Sequence, residues 1–253
     1  MVKNRLIAVL IINNGQVVQS IKFKHTNVIH WDPVEAVDIF NEWAIDEIIA
    51  LNVSKDKKNK EEFISIINDL SKKCFVPLTA GGWIEDLDDA RNLIKNGADK
   101  IVINTMAYKN INLIYEISQI FGKQCVVVSI DSKVVNDKRV VCIDRGRENT
   151  DTTPLEWAKK VIDFGAGELF INSIDHDGNR EGYDLELIKE ISSEVNVPVI
   201  AFGGVFTWNH LVDGIEISKA DAVAAANILH YTEHSSRKAK KFLIKNNLNF
   251  RKI

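Results

Sequence analysis

A (β/α)8 barrel built from two like halves is the fold this sequence predicts. Three observations point to it. Eight short apolar, β-branched runs alternate with eight longer amphipathic stretches over 253 residues. The runs are nearly continuous in apolar residues, as parallel strands buried on both faces require. The sequence also repeats: Pro33 pairs with Pro154 and Pro77 with Pro198, each 121 residues further on.

The elements follow in order. Residues 1–16 are basic, then apolar, and Asn13-Asn14-Gly15 follows with no small-residue cleavage site. The run 6–12 therefore reads as a first strand and not as a leader. Further strands are expected at 47–53, 75–79, 100–104, 124–130, 168–173, 197–201 and 221–225. Helical patterns fill 33–43, 60–72, 87–95, 111–121, 154–164, 184–193, 208–218 and 235–245. Pro33 and Pro154 stand where a first helical turn tolerates proline. An open doubly wound sheet is the competing architecture. Eight strand–helix units in a chain of this length favour the barrel.

The repeat runs through the chain. FVPLTAGGWI (75–84) matches NVPVIAFGGVF (196–206), and GADKIVINT (97–105) matches KADAVAAAN (219–227). DPVEAVDIFNEWAIDEI (32–48) matches TPLEWAKKVIDFGAGEL (153–169). A period this long is a duplicated half-barrel and not a solenoid unit. No linker or low-complexity segment divides the halves, about 1–121 and 122–253, so one domain is expected.

Composition excludes several classes. Lys+Arg is 32 and Asp+Glu 35, a net charge of -3, which argues against a nucleic-acid binder. The lysine-rich stretches KNKEEF and SSRKAKKFLIKNNLNFRKI read as solvated helix faces. No apolar run reaches the ~18 residues of a membrane span. Cys74, Cys125 and Cys142 are far apart and lack metal-ligand spacing, which fits thiols in a reducing cytoplasm. No residue set calls for a metal or an organic cofactor.

In such a barrel the chemistry belongs at the C-terminal ends of the strands. Gly81-Gly82, Asn104-Thr105, Gly203-Gly204 and Ala226-Asn227 fall there. Small residues let backbone N–H groups approach an anion at a helix N-terminus. Two such places related by the repeat predict two phosphate sites. The simpler reading is that the glycines only make tight turns. Asp131 closes the fifth strand run in VVVSIDSK and is either a general acid/base or a structural acceptor. Asp177-Gly178, in SIDHDGNREGYD, reads as a polar site loop or as an ordinary Asp-Gly turn. His176 beside it reads as a solvated histidine.

On HWDPVE, VPLTAGGWI, GADKIVIN, CVVVSID, EWAKKVIDFGAGELFINSIDHDGNREGYDLELI and VPVIAFGG, the sequence resembles the cyclase subunit of imidazole glycerol phosphate synthase along essentially its whole length. The resemblance implies a heterodimer with a glutaminase subunit. Ammonia from that partner would enter the N-terminal face and reach a substrate with two phosphates at the other. It implies an aspartate pair for acid/base work. Asp131 is the second member, and Ile11 stands in the place of the first. It assigns an ammonia gate to Arg5, Glu47, Lys100 and Glu168, and partner contacts to Asp99 and Gln124. Taken alone, those four charges lie at strand starts and could also be a stabilising salt-bridge ring, though an expensive one to bury.

Other departures fall on the substrate face. Gln19 replaces a lysine, Asn52 an aspartate, Trp83 a glycine and Phe202 a serine. With the Lys-Phe-rich loop IKFKH (21–25), this pattern resembles a branch of the family associated with surface-polysaccharide genes. That resemblance implies ammonia delivery to a separate amidotransferase that makes acetamidino sugars. The expected function is thus an ammonia-channelling barrel subunit. The rivals are the histidine-pathway cyclase itself and a non-catalytic barrel that binds a phosphorylated sugar.

Overall fold

A strand that is apolar on both faces has to be covered twice, once by helices and once by its fellow strands. Closure into a barrel meets that demand. The computed structural model describes residues 3–23, 25–42, 44–56, 59–230 and 234–252. β1 (Arg5–Asn13) runs into an antiparallel hairpin, β2 (Gln16–Ile21) and β3 (His25–His30), and then into α1 (Pro33–Glu42). Next come β4 (Glu47–Asn52), α2 (Asn59–Lys73), β5 (Leu78–Gly81), α3 (Leu87–Lys95), β6 (Lys100–Ile103), α4 (Thr105–Lys109) and α5 (Asn112–Phe121). β7 (Val126–Val135) again runs into a hairpin, β8 (Lys138–Ile143) and β9 (Glu148–Asn149), before α6 (Pro154–Asp163). β10 (Glu168–Ser173), α7 (Leu185–Ser192), β11 (Val199–Phe202), α8 (Trp208–Glu216), β12 (Ala222–Ala225) and α9 (Ser235–Lys245) complete the chain.

Eight strands pair in parallel in the order β1-β4-β5-β6-β7-β10-β11-β12, and β12 pairs back with β1. This is the (β/α)8 barrel that the sequence predicts. Period-two alternation sorts the side chains. Ile7, Val9 and Ile11 of β1 turn inward to meet Ile49, Val127, Phe170 and Ile200. Leu6, Ala8, Leu10 and Ile12 turn outward into the layer shared with the helices. Helix starts are fixed locally. Thr153 and Glu156 form a reciprocal capping box around Pro154, and the Asp86 and Asp184 side chains accept the N–H groups of Asp89 and Leu187.

The strand limits need three corrections. The run 75–79 becomes Leu78–Gly81: Phe75 is 87% exposed, and Pro77 has no N–H to give a ladder. The run 197–201 shifts likewise to Val199–Phe202, just past Pro198. The run 124–130 starts later, because residues 123–125 form a 3-10 turn, and it continues well past Asp131 to pair with β8. The helix pattern 33–43 is helical to Glu42, and Trp43 lies outside the described residues. Neither hairpin nor α4 follows from the apolar runs.

Candidate functional site

At the N-terminal end of the barrel the first residues of four strands meet. Arg5 Nη1 lies 2.7 Å from Glu47, and its Nη2 bonds Glu168. Lys100 Nζ sits 2.9 Å from both Glu47 and Glu168. Thr79 Oγ1 donates to Glu47 at 2.9 Å. Each cation bridges both carboxylates, so the four side chains form a closed ring across the axis. Both glutamates are buried. Burial works against the charged forms of Arg5 and Lys100, but the two carboxylates outweigh it and raise both cations. Asp99 and Gln124 lie exposed at this same end. Asp99 accepts the N–H of Leu78 at 2.8 Å, as Asp221, its partner in the repeat, accepts that of Val199 at 2.9 Å. A backbone-holding role therefore accompanies any contact Asp99 makes.

At the opposite end, Asp131 is 8% exposed. Asn104 Nδ2 donates to one of its oxygens at 2.8 Å and Asn172 Nδ2 to the other at 3.2 Å. Burial pushes its carboxyl up to about 7, against the opposing pull of these two amides. Asp131 is thereby poised to hold or release a proton near neutrality. Ile11 sits at the equivalent place in the other half. It pairs in register with Leu51, while Asp131 pairs with Asn172, and Leu51 and Asn172 are related by the repeat. Ile11 is 6% exposed within the interior apolar cluster, where it offers no proton.

The polar loop after β10 folds back onto the first hairpin. The Asp177 carboxylate accepts from Ser20 Oγ at 2.9 Å and from the N–H of Phe23 at 3.4 Å, and the Asp177 carbonyl accepts the N–H of Lys22 at 3.1 Å. Burial raises the Asp177 carboxyl, against the hydrogen bond from Ser20. A Cβ on Gly178 would lie 2.9 Å from the Ile21 Cα. Asp177-Gly178 is thus a clamp for the hairpin as well as a wall of the mouth.

Beside this clamp opens a cavity of ≈ 390 Å³. Asp177, Gly178, Gly203, Gly204, Ala226 and Asn227 line it, so the structure brings these six predicted residues together, while Asp131 is not part of the lining. The predicted residues of the first half, Gly82, Asn104 and Thr105, do not line this cavity. Gly82 and Trp83 border a gap of ≈ 10 Å³ against Lys60 and Phe63 of α2 and Asp89 and Leu93 of α3, and Thr105 Oγ1 accepts the Asp144 N–H at 3.0 Å.

Sequence reasoning missed Asn172 and Arg180. Asn172 is a polar residue within the apolar run ELFINS, the same signal that marked Asp131. Arg180 lines the cavity with its guanidinium 4.9 Å from the centre of the Phe206 ring, and nothing in the local sequence marks it.

The molecule is therefore a (β/α)8 barrel with an ion-pair ring at one end of its axis and, at the other, a proton-holding carboxylate and an open cavity. Comparison with known proteins places it further. A family model described as "Histidine biosynthesis protein" matches residues 5–235. A Clostridium botulinum (strain Langeland) protein named imidazole glycerol phosphate synthase subunit HisF is 40% identical over 99% of this chain and 100% of its own length. The protein of that name from Methanococcus maripaludis (strain C5) is also 40% identical, over 99% of this chain and 100% of its own. The chain belongs to the histidine biosynthesis protein family. Among the described residues, no helix is long and apolar enough to cross a membrane.

Proposed function

We propose that this chain is the ammonia-accepting, cyclase-type subunit of a glutamine-dependent complex of the imidazole glycerol phosphate synthase kind. One arrangement carries the reading: the closed ring of Arg5, Glu47, Lys100 and Glu168 lies on the same axis as Asp131. A glutaminase partner docks at the ring end, near Asp99 and Gln124, and ammonia enters where an ion pair swings aside. A phosphorylated ligand seats at the other end, over the cavity beside Gly203, Gly204, Ala226 and Asn227. Asp131, held by Asn104 and Asn172, exchanges a proton with it.

The names of the relatives favour this histidine-pathway reading over the surface-polysaccharide one. Ile11 favours a second reading. A cyclase that works with separate acid and base groups loses on the order of 10²–10⁴-fold in rate when one is absent. A barrel so altered still suits delivery of ammonia to another acceptor, such as a separate sugar amidotransferase.

Purified chain, a glutaminase partner and glutamine test the first step, and adding the imidazole glycerol phosphate synthase substrate tests the second. Accelerated glutamate release with cyclised product supports the cyclase. Accelerated glutamate release with free ammonia and no product supports delivery elsewhere. A folded pair that neither associates nor speeds glutamine turnover overturns both.

A further inference from the structure

The cavity at the mouth does not end at Gly203 and Gly204. It continues through Phe206 to Trp208, the first residue of α8. This stretch brings two aromatic side chains to the wall, and Phe202 adds a third from the end of β11. Their surroundings differ. Phe202 is buried and stacks on Phe170, with ring centres 4.9 Å apart. Phe206 is 50% exposed, and the Arg180 guanidinium lies over its ring, 4.9 Å from the centre. Arg180 also lines the cavity and makes no ion pair with any described residue. A half-exposed ring at the lip of a cavity presents apolar surface that a ligand can cover. An aromatic face beside an arginine plane is a common stacking platform for bases.

Two further cavity residues carry amide edges, Gln19 on β2 and Asn227 just past β12. Neither side chain hydrogen-bonds another described residue. Each carboxamide sets a donor beside an acceptor, the pattern that matches the edge of a nucleobase. A mouth that held an anion alone would need neither the rings nor the amides.

We propose that Arg180, Phe206 and Trp208 form a stacking subsite for a nucleobase, whose edge is read by Gln19 and Asn227. The inference rests on the reading of the mouth as a ligand site, and it adds a planar heterocycle to the description of that ligand. Stacking and amide contacts need no charge on the ligand, so the subsite binds nucleosides that carry no phosphate.

The test is titration of the full chain with adenosine and with uridine, followed through the side-chain resonances of Phe206 and the Trp208 indole. Ribose 5-phosphate, which has no base, is titrated alongside. Saturable shifts are expected with at least one nucleoside. Phe206 is half exposed, so its variants should fold. Phe206→Ala is expected to weaken nucleoside binding about tenfold or more. Phe206→Tyr keeps the aromatic face and is expected to keep the binding, while Phe206→Leu keeps apolar bulk only and is expected to lose it. No saturable response to either nucleoside would overturn the inference, and if ribose 5-phosphate binds in that case, the reading of the mouth as a phosphorylated-ligand site stands. Silence with all three would overturn both. Nucleoside binding that is unaltered in Phe206→Ala, or in Phe206→Leu, would overturn the stacking subsite.

Discussion

Asn104 donates its side-chain amide to Asp131 across 2.8 Å, so the residue at the N-cap position of α4 turns its side chain away from the helix to hold the carboxylate on β7. Asn172 holds the other oxygen from β10. Two amides on flanking strands fix the orientation of this carboxylate, yet burial keeps its proton affinity high.

Stability against pH follows from that balance. The carboxyl titrates near 3.8 in an unfolded chain and near 7 in the fold. Between those values the folded state holds the extra proton, so the contribution of Asp131 to stability is complete below pH 3.8 and is lost as pH rises through 7. The whole loss is at most ~4 kcal/mol. Asp131→Asn removes this slope at the cost of about 1 kcal/mol for one mismatched amide. Urea unfolding at pH 8 is expected to find the variant more stable by roughly 2–3 kcal/mol, with the advantage gone at pH 4. A variant less stable at both pH values contradicts the account.

The pH dependence of turnover should carry the mark of the missing partner. With Ile11 opposite, Asp131 titrates near 7 without a carboxylate across the mouth to pair with it, and the raised Asp177 carboxyl is already engaged by Ser20. The profile of kcat/KM for cyclisation, or for whatever reaction the complex supports, is expected to show one inflection near pH 7. Two separate catalytic groups would give a bell. A bell-shaped profile whose two limbs persist in Asp131→Asn would assign the chemistry to other residues.

Ile11→Asp would rebuild the pair. It places a carboxyl among Ile7, Val9 and the other interior residues, where it folds in its protonated form and costs ~1–3 kcal/mol. If its absence limits the cyclase, turnover rises on the order of 10²-fold or more. A folded variant with unchanged turnover would place the limit elsewhere.

The barrel strands were legible because closure buries both faces, and two-sided burial leaves unbroken apolar runs such as 168–173, whose limits match β10. The hairpins were missed because β2 and β8 mix buried with partly exposed residues, so they leave no unbroken apolar run. Their turns carried the signal. Asn14-Gly15 and Asn136-Asp137 all have positive φ, the geometry of a tight antiparallel hairpin, and both dipeptides stand in plain sequence. In the site, Asp131 and the four ring charges stood out as polar residues in apolar frames. The destination of the Trp83 indole, at Ser54 and Arg145, was not legible, because both lie far from it in the sequence.

The charged ring makes a sharp stability prediction. The side chains of Glu47 and Glu168 are 2% and 5% exposed, and each carries two cations. Glu47→Ala leaves Arg5 and Lys100 sharing one carboxylate and leaves Thr79 Oγ1 without its acceptor. The expected loss is about 3–5 kcal/mol, most of it the cost of buried charge left uncompensated. Glu47→Gln keeps the acceptor for Thr79 and is expected to lose less. Chemical denaturation measures both, and a loss below about 1 kcal/mol for Glu47→Ala would show a solvated ring.

The clamp on the first hairpin can be opened alone. Asp177→Ala removes the acceptor for Ser20 Oγ and the Phe23 N–H, while the Lys22 N–H keeps its bond to the residue 177 carbonyl. Hydrogen bonds to a carboxylate of this kind contribute roughly 1.5–3 kcal/mol. Among the described residues the hairpin pairs with β1 through Ile12–Val17 and Asn13–Gln16, and it docks through buried Val17 and Val18 as well as through this clamp. Local opening then becomes about tenfold or more frequent while the barrel stays folded. Trypsin cleavage after exposed Lys22 reads this directly: faster cutting with an unchanged unfolding midpoint is expected for Asp177→Ala, and less of it for Asp177→Asn, which keeps one acceptor oxygen. Cleavage at the unaltered rate in Asp177→Ala would mean that apolar contacts at Ile21 and Phe23 hold the hairpin without it.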